Sequence, residues 1–210
     1  MTTPNAAFAP YQHLRSPGRD PEHMLEQTRR EWHRHAGTQA DLWVFGYASL
    51  IWRPDFDAAE RERALVRGWH RALAMWSRVN RGTPERPGLV FALLPGGSCQ
   101  GVVYRIAARH AETVFEQLWA REMPSGVYDP RWLRCHTRHG PVSALAFTLS
   151  RRSPSYTGEL TPAQYGEIFR HARGRYGSTL DYARQTLASL DAQGVRDRRL
   201  AAVLRHAPDR

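Results

Sequence analysis

Leu42-Trp43-Val44-Phe45-Gly46-Tyr47-Ala48-Ser49-Leu50-Ile51-Trp52 is an apolar run that breaks into small residues halfway along. Residues 42–47 read as a strand, and the small residues after them as the turn that ends it. The same texture recurs at residues 64–69, 72–76, 88–94, 99–106, 132–136 and 142–149, short apolar runs mostly bounded by Gly or Pro. Strands in that number suit a barrel or a strongly bent sheet. One helix interrupts them near residues 111–121, where Val114, Phe115, Leu118 and Trp119 form an apolar stripe.

The last third of the chain changes period. Thr161-Pro162-Ala163-Gln164 predicts a helix start, with Thr161 as cap, Pro162 at the first helical position and Gln164 closing a capping box. A second helix is expected after Ser178, burying Leu180, Ala183, Leu187 and Leu190, and a third through Leu200, Val203 and Leu204 beyond the Gly194 break. Strands first and helices afterwards give an α+β domain, without the βαβ alternation of a doubly wound sheet. Upstream, residues 1 to about 20 carry Pro4, Pro10 and Pro17 without apolar periodicity and read as an irregular arm. Residues 21–36 read as a helix packed from outside, with Met24, Leu25, Thr28 and Trp32 on one face. The expected division is an arm with an outer helix over 1–40 and a catalytic domain over 41–210.

With 41% hydrophobic residues and seven Trp, the 210-residue chain has the composition of a folded core rather than of a disordered polymer. The formal charge of +10 is carried wholly by arginine, because the sequence contains no lysine. Blanket absence of lysine reads as a bias of genome composition and not as ligand selection. Such a charge draws in any anion, an acidic peptide as well as a nucleic acid. The arginines are scattered and form no basic tract or nucleic-acid module, which argues against a nucleic-acid partner. Cys99 and Cys135 are too few for a disulfide framework, and neither a secretory leader nor a bilayer-spanning run is visible. The expected place is the cytoplasm, with no membrane contact.

Two segments carry the chemistry. Successive N–H groups in the turn Gly46-Tyr47-Ala48-Ser49-Leu50 could form a nest for a carboxylate, although the same residues also suit an ordinary strand-ending turn. About seventy residues on, Trp119-Ala120-Arg121-Glu122-Met123-Pro124-Ser125-Gly126-Val127-Tyr128 ends a helix on one carboxylate and then turns sharply at Pro124 and Gly126. The helix dipole and partial burial would both raise the pKa of Glu122 toward that of a useful base. The competing reading is a solvated Glu122 paired with Arg121 or Arg131.

These two segments resemble the signature stretches of the ChaC family, the glutathione-specific gamma-glutamylcyclotransferases. The resemblance runs from residue 42 to about 192 and takes in Gly68-Trp69, Arg81-Gly82-Thr83-Pro84-Glu85-Arg86-Pro87-Gly88, Gly174-Arg175-Tyr176-Gly177-Ser178 and Tyr182. It implies a small closed or strongly bent mixed β-barrel with helices packed around it. It further implies a gamma-glutamyl site at Tyr47, Ala48, Ser49 and Leu50, catalysis by Glu122, and a binding role for Tyr128. Ala48 stands where the family usually has Gly, and the loop is expected to keep a negative φ there. Residues 123–127 stand where many family members have a glycine-rich run of shorter side chains. The implied reaction folds the α-amine of glutathione onto its own γ-carbonyl and releases 5-oxoproline and cysteinylglycine, with no metal and no cofactor.

Other readings fare less well. Cys135-His136-x-x-His139 suggests zinc, but a strand there sends Cys135 and His136 to opposite faces. His33 and His35 lack ligand spacing on a helix and are expected to be solvated. Neither cysteine sits in a nucleophile turn. The non-enzymatic alternative is an arginine-rich binding module for nucleic acid or an acidic protein, in which surface charge is the function.

Overall fold

The computed structural model describes residues 19–37 and 39–208. The expected irregular arm lies almost wholly outside them. Five strands, β1 (Leu42–Gly46), β2 (Glu60–Ser77), β3 (Gly88–Ile106), β4 (Asp129–Thr137) and β5 (Gly140–Thr148), close into a barrel in the order β1-β3-β2-β4-β5. Four of the neighbour pairs are antiparallel, and the parallel pair of β1 with β5, through Val44 and Leu145, closes the ring and makes the barrel mixed.

Seven strand-like runs become five strands because two apparent breaks are bends. Residues 64–69 and 72–76 are one strand, and so are 88–94 and 99–106. The register of β2 against β3 slips between Arg67 and Trp69 and again between Leu73 and Met75. Gly68, at φ 80°, supplies the first bulge opposite the Pro95-Gly96-Gly97 segment. A bulge absorbs one residue and bends the ribbon without ending it. The long β2–β3 ribbon therefore belongs to the barrel at one end and extends past it at the other.

On the barrel strands, Leu42, Val44, Phe45, Leu89, Leu93 and Leu145 are fully shielded from water. Each such side chain contributes about 1.5–3 kcal/mol by leaving water. The helix α3 (Ala108–Glu122) buries Ala111, Val114, Phe115, Leu118 and Trp119, the predicted stripe and one turn more. Against it lies α1 (Pro21–Ala36), where Trp32 stacks on Phe115 with ring centroids 6.0 Å apart and Trp119 Nε1 donates to the Pro21 carbonyl at 2.8 Å. His33 corrects the expectation of a solvated residue: its Nε2 meets Glu112 Oε1 at 2.8 Å and its ring stacks on Trp32.

The helical third follows its sequence signals. Thr161 and Gln164 form the expected capping box at the start of α4 (Pro162–His171), Ser178 caps α5 (Thr179–Ala192), and Asp197 caps α6 (Arg198–Leu204). A two-residue ribbon, β6 (Arg173–Gly174) with β7 (Gly177–Ser178), joins α4 to α5. No helix among the described residues is long and apolar enough to cross a membrane.

Candidate active site

At the end of β1 the chain turns into a single helical turn, α2 (Ser49–Trp52). A side chain at Gly46 would put its Cβ 2.9 Å from Leu50 Cβ, so only glycine lets the turn fold back this tightly. Ala48 sits at φ −142°, so the loop keeps the negative φ expected there and does not call on glycine's left-handed freedom. Buried bonds fix the backbone. Tyr47 Oη donates to the Phe147 carbonyl at 2.9 Å and Tyr104 Oη to the Leu50 carbonyl at 2.7 Å. The Arg71 guanidinium, itself paired with Asp197 at 2.6 Å, donates to the Tyr47 carbonyl at 2.7 Å.

Glu122 is the last residue of α3, and Gly126, at φ 65°, turns the chain just beyond it. Its carboxylate lines a cavity of about 450 Å³ together with Ser49, Trp52, Tyr128 and Tyr182. The Glu122 side chain is 16% exposed and meets Arg121 Nε at 3.0 Å. The ion pair of the competing reading is therefore present, but on a shielded carboxylate and not on a solvated one. Burial raises the pKa of Glu122, and the Arg121 charge and hydrogen bond only partly oppose it.

Arg121 also joins the two signature segments. It donates to Ser49 Oγ at 3.1 Å, to the Arg53 and Pro54 carbonyls at 2.5 and 3.1 Å, and to Asp55 Oδ2 at 2.8 Å. Asp55 is held at φ 59°, a left-handed conformation that Asp tolerates better than most residues, and its carboxylate bridges Arg53 and Arg121. Three phenols gather near Glu122. Burial pushes the Tyr47 and Tyr128 hydroxyls well above their ordinary pKa, and the Glu122 charge adds to this; burial takes Tyr182 to about 12.

Of the residues singled out from sequence, Glu122, Ser49 and Tyr128 line the cavity. Tyr47, Ala48 and Leu50 lie in the core behind it, so any direct contact they make with a ligand falls to their backbone. Tyr182 entered only as part of a matching stretch, and Arg121 only as an ion-pair partner. Arg121's reach back to Ser49 leaves no local pattern in the sequence.

The other candidates lie elsewhere. The thiols of Cys99 and Cys135 are buried, which pushes their pKa up to about 11 and about 12, far from a reactive thiolate. Cys135 points into the barrel while His136 lies on the opposite face of β4, half-buried. Among the described residues no three His, Cys, Asp or Glu side chains come together as a metal site would need.

Residues 42–209 match the model of a family described as ChaC-like protein, so the similarity continues past residue 192 and includes α6. The chain is 32% identical to the glutathione-specific gamma-glutamylcyclotransferase of Escherichia coli over 160 residues, covering 76% of this chain and 69% of the relative. It is 28% identical to the human glutathione-specific gamma-glutamylcyclotransferase 1 over 196 residues, 90% of this chain and 88% of the relative. Its fold matches the crystal structure of a yeast gamma-glutamyl cyclotransferase specific to glutathione with a TM-score of 0.72 at 22% identity, covering 79% of this chain and 95% of the yeast chain.

Proposed function

The chain belongs to the ChaC-like family, and on that premise we propose that it cyclises the gamma-glutamyl group of glutathione, releasing 5-oxoproline and cysteinylglycine. Support comes above all from the Glu122 carboxylate, which lines the cavity, is shielded from water and holds its proton more tightly than an ordinary glutamate. In this reading Glu122 takes a proton from the substrate's α-ammonium. The freed amine attacks the γ-carbonyl carbon, Glu122 returns its proton to the departing nitrogen as the amide C–N bond breaks, and the second proton shed by the new ring nitrogen lets the dipeptide leave as an ammonium. Water is not consumed and no covalent enzyme intermediate is required. Holding amine and carbonyl in contact supplies several kcal/mol that an open chain would lose to entropy.

The gamma-glutamyl carboxylate is assigned to the turn of Tyr47, Ala48, Ser49 and Leu50. The first N–H groups of a helical turn have no carbonyl to donate to and favour an anion. Tyr128 closes the pocket around the same moiety. Residues 41–210 form the catalytic unit, with α1 bracing α3 from outside. Two buried, unpaired cysteines suit a reducing compartment, so we place the enzyme in the cytoplasm. Similarity to enzymes over most of the chain does not favour the arginine-rich binding module.

Incubation of the purified chain with glutathione is expected to yield 5-oxoproline and cysteinylglycine in equal amounts by mass detection. N-acetylated glutathione, whose nitrogen cannot be freed as a nucleophile, is expected to yield neither. Release of free glutamate would mean that water attacks instead, and no product from glutathione would refute the assignment.

A further inference from the structure

Four arginines and two carboxylates line the cavity: Arg53, Arg78, Arg81, Arg121, Asp55 and Glu122. Arg121 pairs with both carboxylates and Arg53 with Asp55. Among the described residues Arg78 and Arg81 form no ion pair within 4 Å. Arg78 is partly exposed and has water. Arg81 is only 9% exposed. Its guanidinium donates to the Tyr176 carbonyl and lies over the Tyr182 ring, 4.7 Å from the centroid. Asp181 acts on it only from a distance, and its Oδ2 is taken by the Ser178 hydroxyl at 2.6 Å. A guanidinium carries five N–H donors, so one carbonyl and one aromatic face leave most of its capacity unmet. Burying such a cation is unfavourable unless an anion joins it.

Arg81 is also held in place. Its backbone N–H donates to Ser77 Oγ at 3.0 Å. A Cβ on Gly88 would sit 2.1 Å from the Arg81 carbonyl oxygen, and one on Gly174 would sit 2.6 Å from the Arg81 nitrogen, so two glycines let β3 and β6 clamp the segment. The proposed substrate brings two carboxylates and one ammonium. The ammonium faces Glu122 and the gamma-glutamyl carboxylate takes the Tyr47–Leu50 turn, which leaves the carboxylate at the end of the leaving dipeptide without a partner. Resting on the cyclotransferase reading, we infer that Arg81 binds that terminal carboxylate and makes the site selective for gamma-glutamyl peptides with a free C-terminus over the corresponding amides.

The test compares glutathione with its glycine carboxamide, on the wild type and on Arg81→Gln, by 5-oxoproline release. For the wild type, kcat/KM is expected to be about 30-fold higher for the free acid, the difference lying mainly in KM, as for loss of one charge-assisted contact. For Arg81→Gln the two substrates should agree within about twofold, and Arg81→Lys should recover part of the preference. Equal kcat/KM for both peptides on the wild type would overturn the assignment, and that comparison needs no variant to fold. Equal losses on both peptides in Arg81→Gln would also overturn it, making Arg81 a structural or gamma-glutamyl contact. Release of 5-oxoproline from neither peptide would instead sink the cyclotransferase reading, and this inference with it.

Discussion

Around Glu122 every guanidinium has a carboxylate, whereas Arg81, in another stretch of the same cavity wall, has none among the described residues. The first arrangement is closed: Arg121 holds Glu122 at 3.0 Å, Asp55 at 2.8 Å and Ser49 at 3.1 Å, and Asp55 returns to Arg53. Its charges are balanced before any substrate arrives. It is built to fix one carboxylate in space and to set its proton affinity. The second arrangement is open: a buried cation rests on a carbonyl and a ring and still has donors to give. On the proposed reading, one region handles protons and the other recognises charge.

The largest expected effect falls on the closed side. Glu122→Gln keeps the size and hydrogen bonding of the side chain but cannot accept a proton, so kcat should fall by about 10²–10⁴ with KM within about threefold. More than a tenth of wild-type kcat in a clean preparation would remove Glu122 from the chemistry. Arg121→Met should cost about tenfold to a hundredfold in kcat by loosening Glu122 and Ser49 together. It should also move the acid limb of the kcat–pH profile to higher pH. Without the adjacent cation the carboxylate keeps its proton to a higher pH, and only the deprotonated form is active. An unmoved limb would mean that Arg121 is only a brace. The smallest effect belongs to Arg78→Gln, because a partly exposed charge is screened by solvent and contributes little: KM for glutathione should change by less than about threefold, and the change should vanish at high salt. A loss as large as that of Arg81→Gln would erase the distinction between buried and exposed cations.

What the sequence shows of this comparison is uneven. Thr161-Pro162-Ala163-Gln164 announces its helix because a cap needs only residues that are neighbours in the chain. The stripe through Val114, Phe115, Leu118 and Trp119 and the corner after Glu122 are legible for the same reason. The bends in β2 and β3 are not, since Gly68 and Pro95-Gly96-Gly97 look like ends until the partner strand shows them to be bulges. Glu122 could be picked out locally, but Ser49 lies 72 residues before Arg121, and only the folded barrel lets Arg121 touch both Ser49 and Glu122. Arg81 is one of thirty arginines in a chain without lysine. It enters the sequence reading only within a matching stretch, and burial without a carboxylate partner among the described residues sets it apart.

The central claim is that a buried glutamate, kept protonatable by its surroundings, is the base. A ¹³C titration of the Glu122 side-chain carboxyl, identified by its disappearance in Glu122→Gln, tests that claim most directly when run beside the pH dependence of kcat. Burial should place the midpoint above the ordinary glutamate value of about 4.3, and the acid limb of kcat should fall at the same pH. A midpoint at or below the ordinary value, or a limb that does not follow it, would contradict the account.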